Sequence, residues 1–141
     1  MATVGRFEDL KAWQQARLLA SLLYRVSRNV ETKRDFALVL QLRKTAMSPM
    51  SNIAEGFGRR SDRDFANFLS IAHGSVAEGQ SLLYLSLDEG YIDQQAFDAA
   101  YEQADHCSRL IQSLGRYLGK KLSKKTKAFR SRKTPKTPKT P

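Results

Sequence analysis

Residues 97–118 read FDAAYEQADHCSRLIQSLGRYL, and apolar side chains recur through this stretch at alternating intervals of three and four residues. The apolar positions are Phe97, Ala100, Ala104, Cys107, Ile111, Leu114 and Leu118. This unbroken heptad pattern predicts a helix with one apolar seam, capped by Asp93 and ending at Gly119. Heptad spacing also predicts left-handed crossings of about 20° with the neighbouring helices.

The chain upstream predicts three more amphipathic helices, again from the spacing of its apolar residues. They cover about residues 8–27, 35–59 and 61–89. The apolar stripe of the first helix is wider than the ~100° that a bundle requires, so this helix either packs against another subunit or lies deep in its own bundle. Four helices with short connections indicate an all-α fold, an antiparallel up-down four-helix bundle over residues 1–119.

Two of these helices contain residues that weaken helices. Pro49 lies in the second helix, and because the apolar stripe continues on both sides of it, we expect a kink rather than a break. The third helix begins at a Ser61 cap and contains Gly74 and Gly79. Each glycine costs helix propensity, which predicts the close approach of a neighbouring helix.

The net charge of +10 comes from one end of the chain. Residues 120–141 contain ten basic residues and no acidic one, whereas residues 1–119 contain fourteen of each. A block of like charges followed by Thr-Pro-Lys repeats cannot bury a core, so we expect residues 120–141 to form a basic, disordered tail. Such a tail favours nucleic acid, whose phosphates it would bind with release of counterions. A solubilising tail and a membrane-surface tail are the alternatives, and the second lacks an amphipathic apolar face.

The predicted nucleic-acid contacts lie in the tail and near helix ends. In the tail they are Lys120, Lys121, Lys124, Lys125, Lys127, Arg130, Arg132 and Lys133. In the bundle they are Arg25, Arg28, Lys33, Arg34, Arg59, Arg60 and Arg63. For the bundle residues the alternative is charge balance at helix ends, which the zero net charge of residues 1–119 supports. Phe129 in the tail could stack on a base.

Residues arranged for catalysis or metal binding are not evident. Neither His73 nor His106 has a partner at metal-ligand spacing or a glutamate three residues before it. Cys107 lies on the apolar seam, so we expect a buried, inert thiol. We therefore expect no enzyme activity, no metal and no cofactor. With one cysteine, no signal peptide and no apolar run of about 20 residues, we expect a cytoplasmic protein without membrane contact.

A polar arc lies opposite the apolar stripe of the second helix. It comprises Gln41, Ser48, Asn52, Glu55 and Arg59, and on the third helix Ser75 and Glu78 flank the inner face. This arc is either a solvated face or a hydrogen-bonded seam between helices or subunits. Glu55 and Arg59 are four residues apart and can form an ion pair.

Several segments carry a resemblance to a known family. They are FEDLKAWQQA at residues 7–16, QLRKTA at 41–46, NIAEG at 52–56 and FLSIAHGSVAE at 68–78. Over residues 7–118 the sequence resembles the four-helix-bundle proteins encoded in intervening sequences of bacterial 23S ribosomal RNA. It also resembles the similar accessory variability determinant (Avd) proteins of diversity-generating retroelements.

The resemblance implies a protomer that assembles into a homopentameric barrel. For the Avd branch it implies a non-catalytic, nucleic-acid-binding partner of a reverse transcriptase and its template RNA. For the intervening-sequence branch, the alternative is a structural homo-oligomer with no nucleic-acid role. The family's recurrent motif falls on Asn52, Glu55, Gly56, Arg59, Ser75 and Glu78. We expect these residues, together with Gln41, to form structural or interface hydrogen bonds rather than a ligand site.

Overall fold

The computed structural model describes residues 4–133, which form four α-helices and no strand. A short 3-10 helix at Phe7–Asp9 precedes them. The helices are α1 (Lys11–Thr32), α2 (Phe36–Gly58), α3 (Asp62–Asp88) and α4 (Gln94–Lys133). Consecutive helices pack side by side, and α4 also packs against α1. The predicted all-α four-helix bundle is confirmed.

Side-chain caps begin three of the helices. Asp35, Ser61 and Asp93 each accept a hydrogen bond from the backbone N–H three residues later, which satisfies one of the unpaired donors of the first helical turn. The caps predicted at Ser61 and Asp93 are confirmed. Gly90, with φ of 71°, adopts the left-handed conformation that ends α3 and turns the chain towards α4.

The heptad seam of α4 forms one wall of the core. All of its predicted members are buried except Leu114, which is half-buried. Helix α2 continues through a buried Pro49, so the predicted continuity of this helix is confirmed. The wide stripe of α1 lies mostly within its own bundle, and Leu18 is its large apolar residue left exposed.

The two glycines of α3 have different surroundings. A Cβ atom at Gly79 would lie 3.4 Å from Leu23 Cδ1 of α1, so a neighbouring helix does approach closely there. At Gly74 no atom lies within 4 Å of the corresponding position. The predicted close approach is therefore right at Gly79 and wrong at Gly74 within the protomer.

The end of α4 differs from the prediction. The helix continues for fourteen residues beyond Gly119, so the predicted helix end at Gly119 and the expected disorder of residues 120–133 are both wrong. Lysine, leucine, alanine and arginine are good helix formers, and cations near a helix C-terminus complement the helix dipole. The expected disorder of residues 134–141 concerns a segment outside the described residues. The predicted domain boundary at residue 119 falls within a continuous helix, and the division there stays a prediction.

Candidate nucleic-acid interface

Residues 120–133, named the α4 extension here, stand beyond the end of the bundle. Helix α4 has 40 residues, against 22, 23 and 27 for the other three helices. At 1.5 Å per residue, the α4 extension is about 20 Å long. Every residue from Ser123 to Lys133 is exposed. The extension carries eight basic residues and no acidic one, so it is a helical rod of positive charge.

Asp62, at the first residue of α3, holds the base of the α4 extension. Its Oδ2 atom lies 3.3 Å from Lys125 Nζ and 3.4 Å from Lys121 Nζ. Burial raises the pKa of the Asp62 carboxyl, but the hydrogen bond from Lys125 and the charges of both lysines outweigh this effect, so the pKa lies below its ordinary value. The carboxylate is thus ionised at neutral pH, and its two ion pairs link the start of α3 to the base of the extension.

The α2–α3 junction lies at the same end of the bundle as the α4 extension. Arg60 and Arg63 are exposed there, and Arg60 has a left-handed φ of 57°. Arg59 instead pairs with Glu55 at 3.1 Å, and its guanidinium lies 5.4 Å from the centre of the Phe68 ring. Of the three predicted junction arginines, Arg60 and Arg63 are therefore the two whose guanidinium groups are available for phosphate.

The remaining predicted cations lie at the opposite end. Because consecutive helices are antiparallel, the end of α1 and the start of α2 are separated from the α2–α3 junction by about 30 Å, the length of one helix. The predicted residues at this end are Arg25, Arg28, Lys33 and Arg34. Five acidic residues accompany these four cations, namely Glu31, Asp35, Asp88, Glu89 and Asp93. The structure therefore does not join this group to the α4 extension, and charge balance describes it better.

The polar arc of α2 forms a hydrogen-bonded seam with α3 at one point. The hydroxyl groups of Ser48 and Ser75 lie 2.6 Å apart. The amide of Asn52 donates to Ser48 Oγ at 2.9 Å and to the Ser48 carbonyl at 2.8 Å. Gln41 and Glu78 are exposed, as are the paired Glu55 and Arg59. The arc is thus a seam between helices in its middle and a solvated face at its ends.

Gly56 lies where α2 and α3 approach each other most tightly. A Cβ atom at this position would lie 2.6 Å from Phe68 Cβ and 3.1 Å from Phe65 Cδ1. Real Cβ atoms do not tolerate such a contact, so glycine is required for this helix spacing. The role of Gly56 is close packing, within the structural role predicted for the motif.

The outer face of α2 and α3 differs from that of the other two helices. Residues 45–54 and 65–77 contain no acidic or basic residue other than His73. On this α2–α3 outer face Met47 and Ile71 are exposed by 48% and 53%. The exposed positions of α1 and α4, by contrast, carry charges along their whole length. Sequence reasoning missed this asymmetry, although the charge-free segments are visible in the sequence.

Cys107 is fully buried in the seam of α4. Burial raises the pKa of its thiol to about 12, because the apolar surroundings disfavour the thiolate. The predicted buried thiol is confirmed. Among residues 4–133, no group of three or more His, Cys, Asp or Glu side chains could hold a metal ion. In the same part of the chain, no helix combines the length and apolar character that a membrane span requires.

The burial of Cys107 predicts slow reaction with thiol reagents. At pH 8 about one thiol in ten thousand is ionised if its pKa is about 12. We expect Ellman's reagent to label the folded protein at least about a thousandfold more slowly than the protein unfolded in urea. Equal labelling rates in the two states would show that Cys107 is accessible in the folded protein.

Together, these features define a class of protein: a four-helix bundle with one charge-free outer face and a basic helical extension of its last helix. The family model for the 23S rRNA-intervening sequence protein matches residues 8–113. The chain belongs to this family, and the resemblance to the intervening-sequence proteins is confirmed. The α4 extension lies outside the matched residues.

A solved structure supports the fold independently. The chain is similar to a protein of unknown function from the S23 ribosomal protein family of Bacteroides thetaiotaomicron VPI-5482, with 21% sequence identity and a TM-score of 0.69. The similarity covers 73% of this chain and 96% of that protein. No match is found among the curated proteins. These comparisons indicate no catalytic family.

Proposed function

We propose that this protein is a non-catalytic, nucleic-acid-binding accessory protein that acts as a homo-oligomer. The observation that carries the proposal is the α4 extension, in which eight cations and no anion occupy about 20 Å of exposed helix. The spacing amounts to about one positive charge per 2.5 Å. Duplex DNA carries about one negative charge per 1.7 Å of its axis, so the two linear charge densities are similar.

The helical form of the extension favours this role. Eight like charges along a short helix repel one another, and lysines four residues apart destabilise the helix by a few tenths of a kcal/mol per pair. A polyanion removes this repulsion, because each bound phosphate neutralises one cation of the helix, and that cation displaces counterions condensed on the polyanion. Since the extension is already helical as the continuation of α4, less conformational entropy is lost on binding.

The α2–α3 outer face supports self-association. Contiguous apolar side chains on an otherwise charge-free surface mark interaction sites. Gly74 adds to this argument. Glycine lowers the helix propensity of α3 at this position, yet no neighbouring helix of the same protomer comes within 4 Å of where its Cβ would lie. Close packing against a second copy would give it a role. In a cyclic oligomer, such as the homopentamer that the family resemblance implies, all α4 extensions emerge at one end, where several weak contacts act together.

Two biological settings fit this function. In the Avd-like setting, the protein would partner a reverse transcriptase and bind its template RNA or the resulting DNA. In the second setting, the protein is a structural homo-oligomer without a nucleic-acid role. The α2–α3 outer face favours this setting when it is considered without the α4 extension, because it supports self-association only. A reverse transcriptase gene and a variable repeat beside the coding sequence would favour the first setting, and an insertion within a 23S rRNA gene would favour the second.

Salt-titrated binding of the full chain tests the nucleic-acid function. Replacing Arg130, Arg132 and Lys133 by glutamine removes three cations from the distal part of the α4 extension and leaves the two lysines that pair with Asp62 unchanged. We expect affinity for a mixed-sequence nucleic acid to fall about a hundredfold near 0.1 M salt, and the slope of log affinity against log salt to fall by about two to three. The matched control replaces Arg25, Arg28 and Lys33 by glutamine, and we expect it to leave both quantities nearly unchanged. An equal loss in the two variants, or no loss in either, contradicts the proposal.

A further inference from the structure

The cations of the α4 extension surround the helix instead of forming one face. At 100° per residue they fall on three sides about 120° apart. The first side holds Lys121, Lys125 and Arg132. The second side holds Lys120, Lys124 and Lys127, and the third side holds Arg130 and Lys133. A helix that lies on a flat anionic surface needs only one basic side. Charge on several sides suits a helix that lies between two rows of phosphates.

A narrow apolar line separates two of these basic sides. Leu122 and Phe129 lie on this line, which continues the direction of the buried Leu118. Phe129 is 58% exposed. The basic sides that flank the line are those of Lys125 and Arg130. If the helix binds a duplex with its apolar line towards the base edges, the two basic sides that flank the line face the two phosphate backbones.

The dimensions of the α4 extension match one kind of groove. An α-helix with its side chains is about 10–12 Å wide, and the major groove of B-form DNA is about 12 Å wide. The major groove of A-form RNA is too narrow and deep for side chains to read. Base stacking in single strands uses successive aromatic side chains, whereas the extension has one, and Lys133 Nζ already lies 4.5 Å from the centre of the Phe129 ring.

The base of the α4 extension adds phosphate contacts outside the groove. Asp62 holds Lys121 and Lys125 against the start of α3. Arg63 directly follows Asp62, and Arg60 precedes it by two residues in the left-handed turn. A duplex that receives the distal part of the extension therefore presents its flanking phosphates to these two arginines.

We propose that the α4 extension binds duplex DNA as a helix lying in the major groove, with Arg60 and Arg63 on the flanking phosphates. This inference rests on the proposed nucleic-acid function and specifies the form of nucleic acid that the extension takes. The apolar line offers contact with thymine methyl groups but few donors for base edges, so binding is tolerant of sequence.

A helix-breaking variant that keeps every charge tests this inference. Thr126 lies in the middle of the α4 extension, and its hydroxyl donates only to the Leu122 carbonyl. Thr126→Pro removes a helical hydrogen bond and clashes with the preceding turn, while Thr126→Ala removes only the hydroxyl and serves as the matched control. The full-length proteins are titrated with one sequence as duplex DNA, duplex RNA and single-stranded DNA, and with vesicles containing phosphatidylserine.

We expect the unaltered protein and Thr126→Ala to bind duplex DNA about tenfold or more tightly than the other two nucleic acids, in line with a larger number of phosphate contacts. Thr126→Pro should lose that preference and keep its affinity for single strands. A prior incubation of the duplex with the major-groove ligand methyl green should inhibit binding, and the minor-groove ligand netropsin should not.

Different outcomes overturn different proposals. Equal affinity for the three nucleic acids, or an unchanged preference in Thr126→Pro, overturns duplex insertion and leaves the nucleic-acid function standing. Tighter binding to single strands or to duplex RNA does the same. Vesicle binding that duplex DNA does not displace overturns the insertion and favours a membrane surface. Absence of binding to any nucleic acid overturns the proposed function itself.

Discussion

An Ile71→Glu variant is expected to be monomeric at concentrations at which the unaltered protein is a homo-oligomer. Ile71 lies on the α2–α3 outer face, beside the bond between Ser48 and Ser75 that joins the two helices. A carboxylate buried without a partner at an interface costs several kcal/mol. At about 1.4 kcal/mol per factor of ten, this weakens each interface at least about a hundredfold. Light scattering at micromolar concentration measures the molar mass directly.

The control for this variant is a matched substitution on α1. Leu18 is 52% exposed, against 53% for Ile71, so Leu18→Glu introduces the same charge at an equally accessible apolar position. We expect Leu18→Glu to keep the mass of the unaltered protein, and both variants to keep its helix content by circular dichroism. If Ile71→Glu keeps the oligomer, or if Leu18→Glu dissociates it equally, the α2–α3 outer face is not the self-association surface. A monomeric unaltered protein contradicts the homo-oligomer itself.

The sequence contained most of the information on the bundle. The heptad seam of α4 and the caps at Ser61 and Asp93 predicted the helices, because burial and capping are local patterns. The end of α4 could not be predicted in the same way. Gly119 and the run of lysines suggested a helix end, yet helix propensity and the favourable dipole interaction extend the helix to Lys133.

The arrangement of the cations required the topology. The sequence placed Arg25 and Arg28 at the end of the first helix and Arg60 and Arg63 at the junction of the second and third, and both places were candidates for phosphate contact. In an up-down bundle these two connections lie at opposite ends. Only the second connection adjoins the α4 extension. The contact of Asp62 with Lys125 was beyond prediction, because it needs the extension to be helical and to leave the bundle in a fixed direction.

Gly56→Ala is expected to destabilise the protein by about 2–3 kcal/mol. The added methyl would lie 2.6 Å from Phe68 Cβ, and this neighbour cannot swing away because its position is set by the α3 backbone. The two helices must therefore separate, and overpacking of this kind costs about 1–3 kcal/mol. Alanine gains about 1 kcal/mol in helix propensity over glycine, which opposes the clash. The expected destabilisation of about 2–3 kcal/mol therefore includes loss of packing around Phe65 as well as the clash with Phe68. The melting temperature should fall by about 10 °C.

Gly58→Ala provides the control, because no atom lies within 4 Å of a Cβ at Gly58 in the same helix. We expect it to unfold in urea at the same midpoint as the unaltered protein or slightly above, at equal protein concentration.

Trimming the ring in a Gly56→Ala, Phe68→Ala double variant should not restore stability, since the clash is with Cβ, which alanine keeps. Recovery in the double variant would show that the ring, and not the spacing of the helices, requires glycine. Equal midpoints for Gly56→Ala and Gly58→Ala would show that α2 and α3 do not approach closely at this point. The second result would remove the packing argument for the glycine in the family's motif and return Gly56 to the residues without a known role.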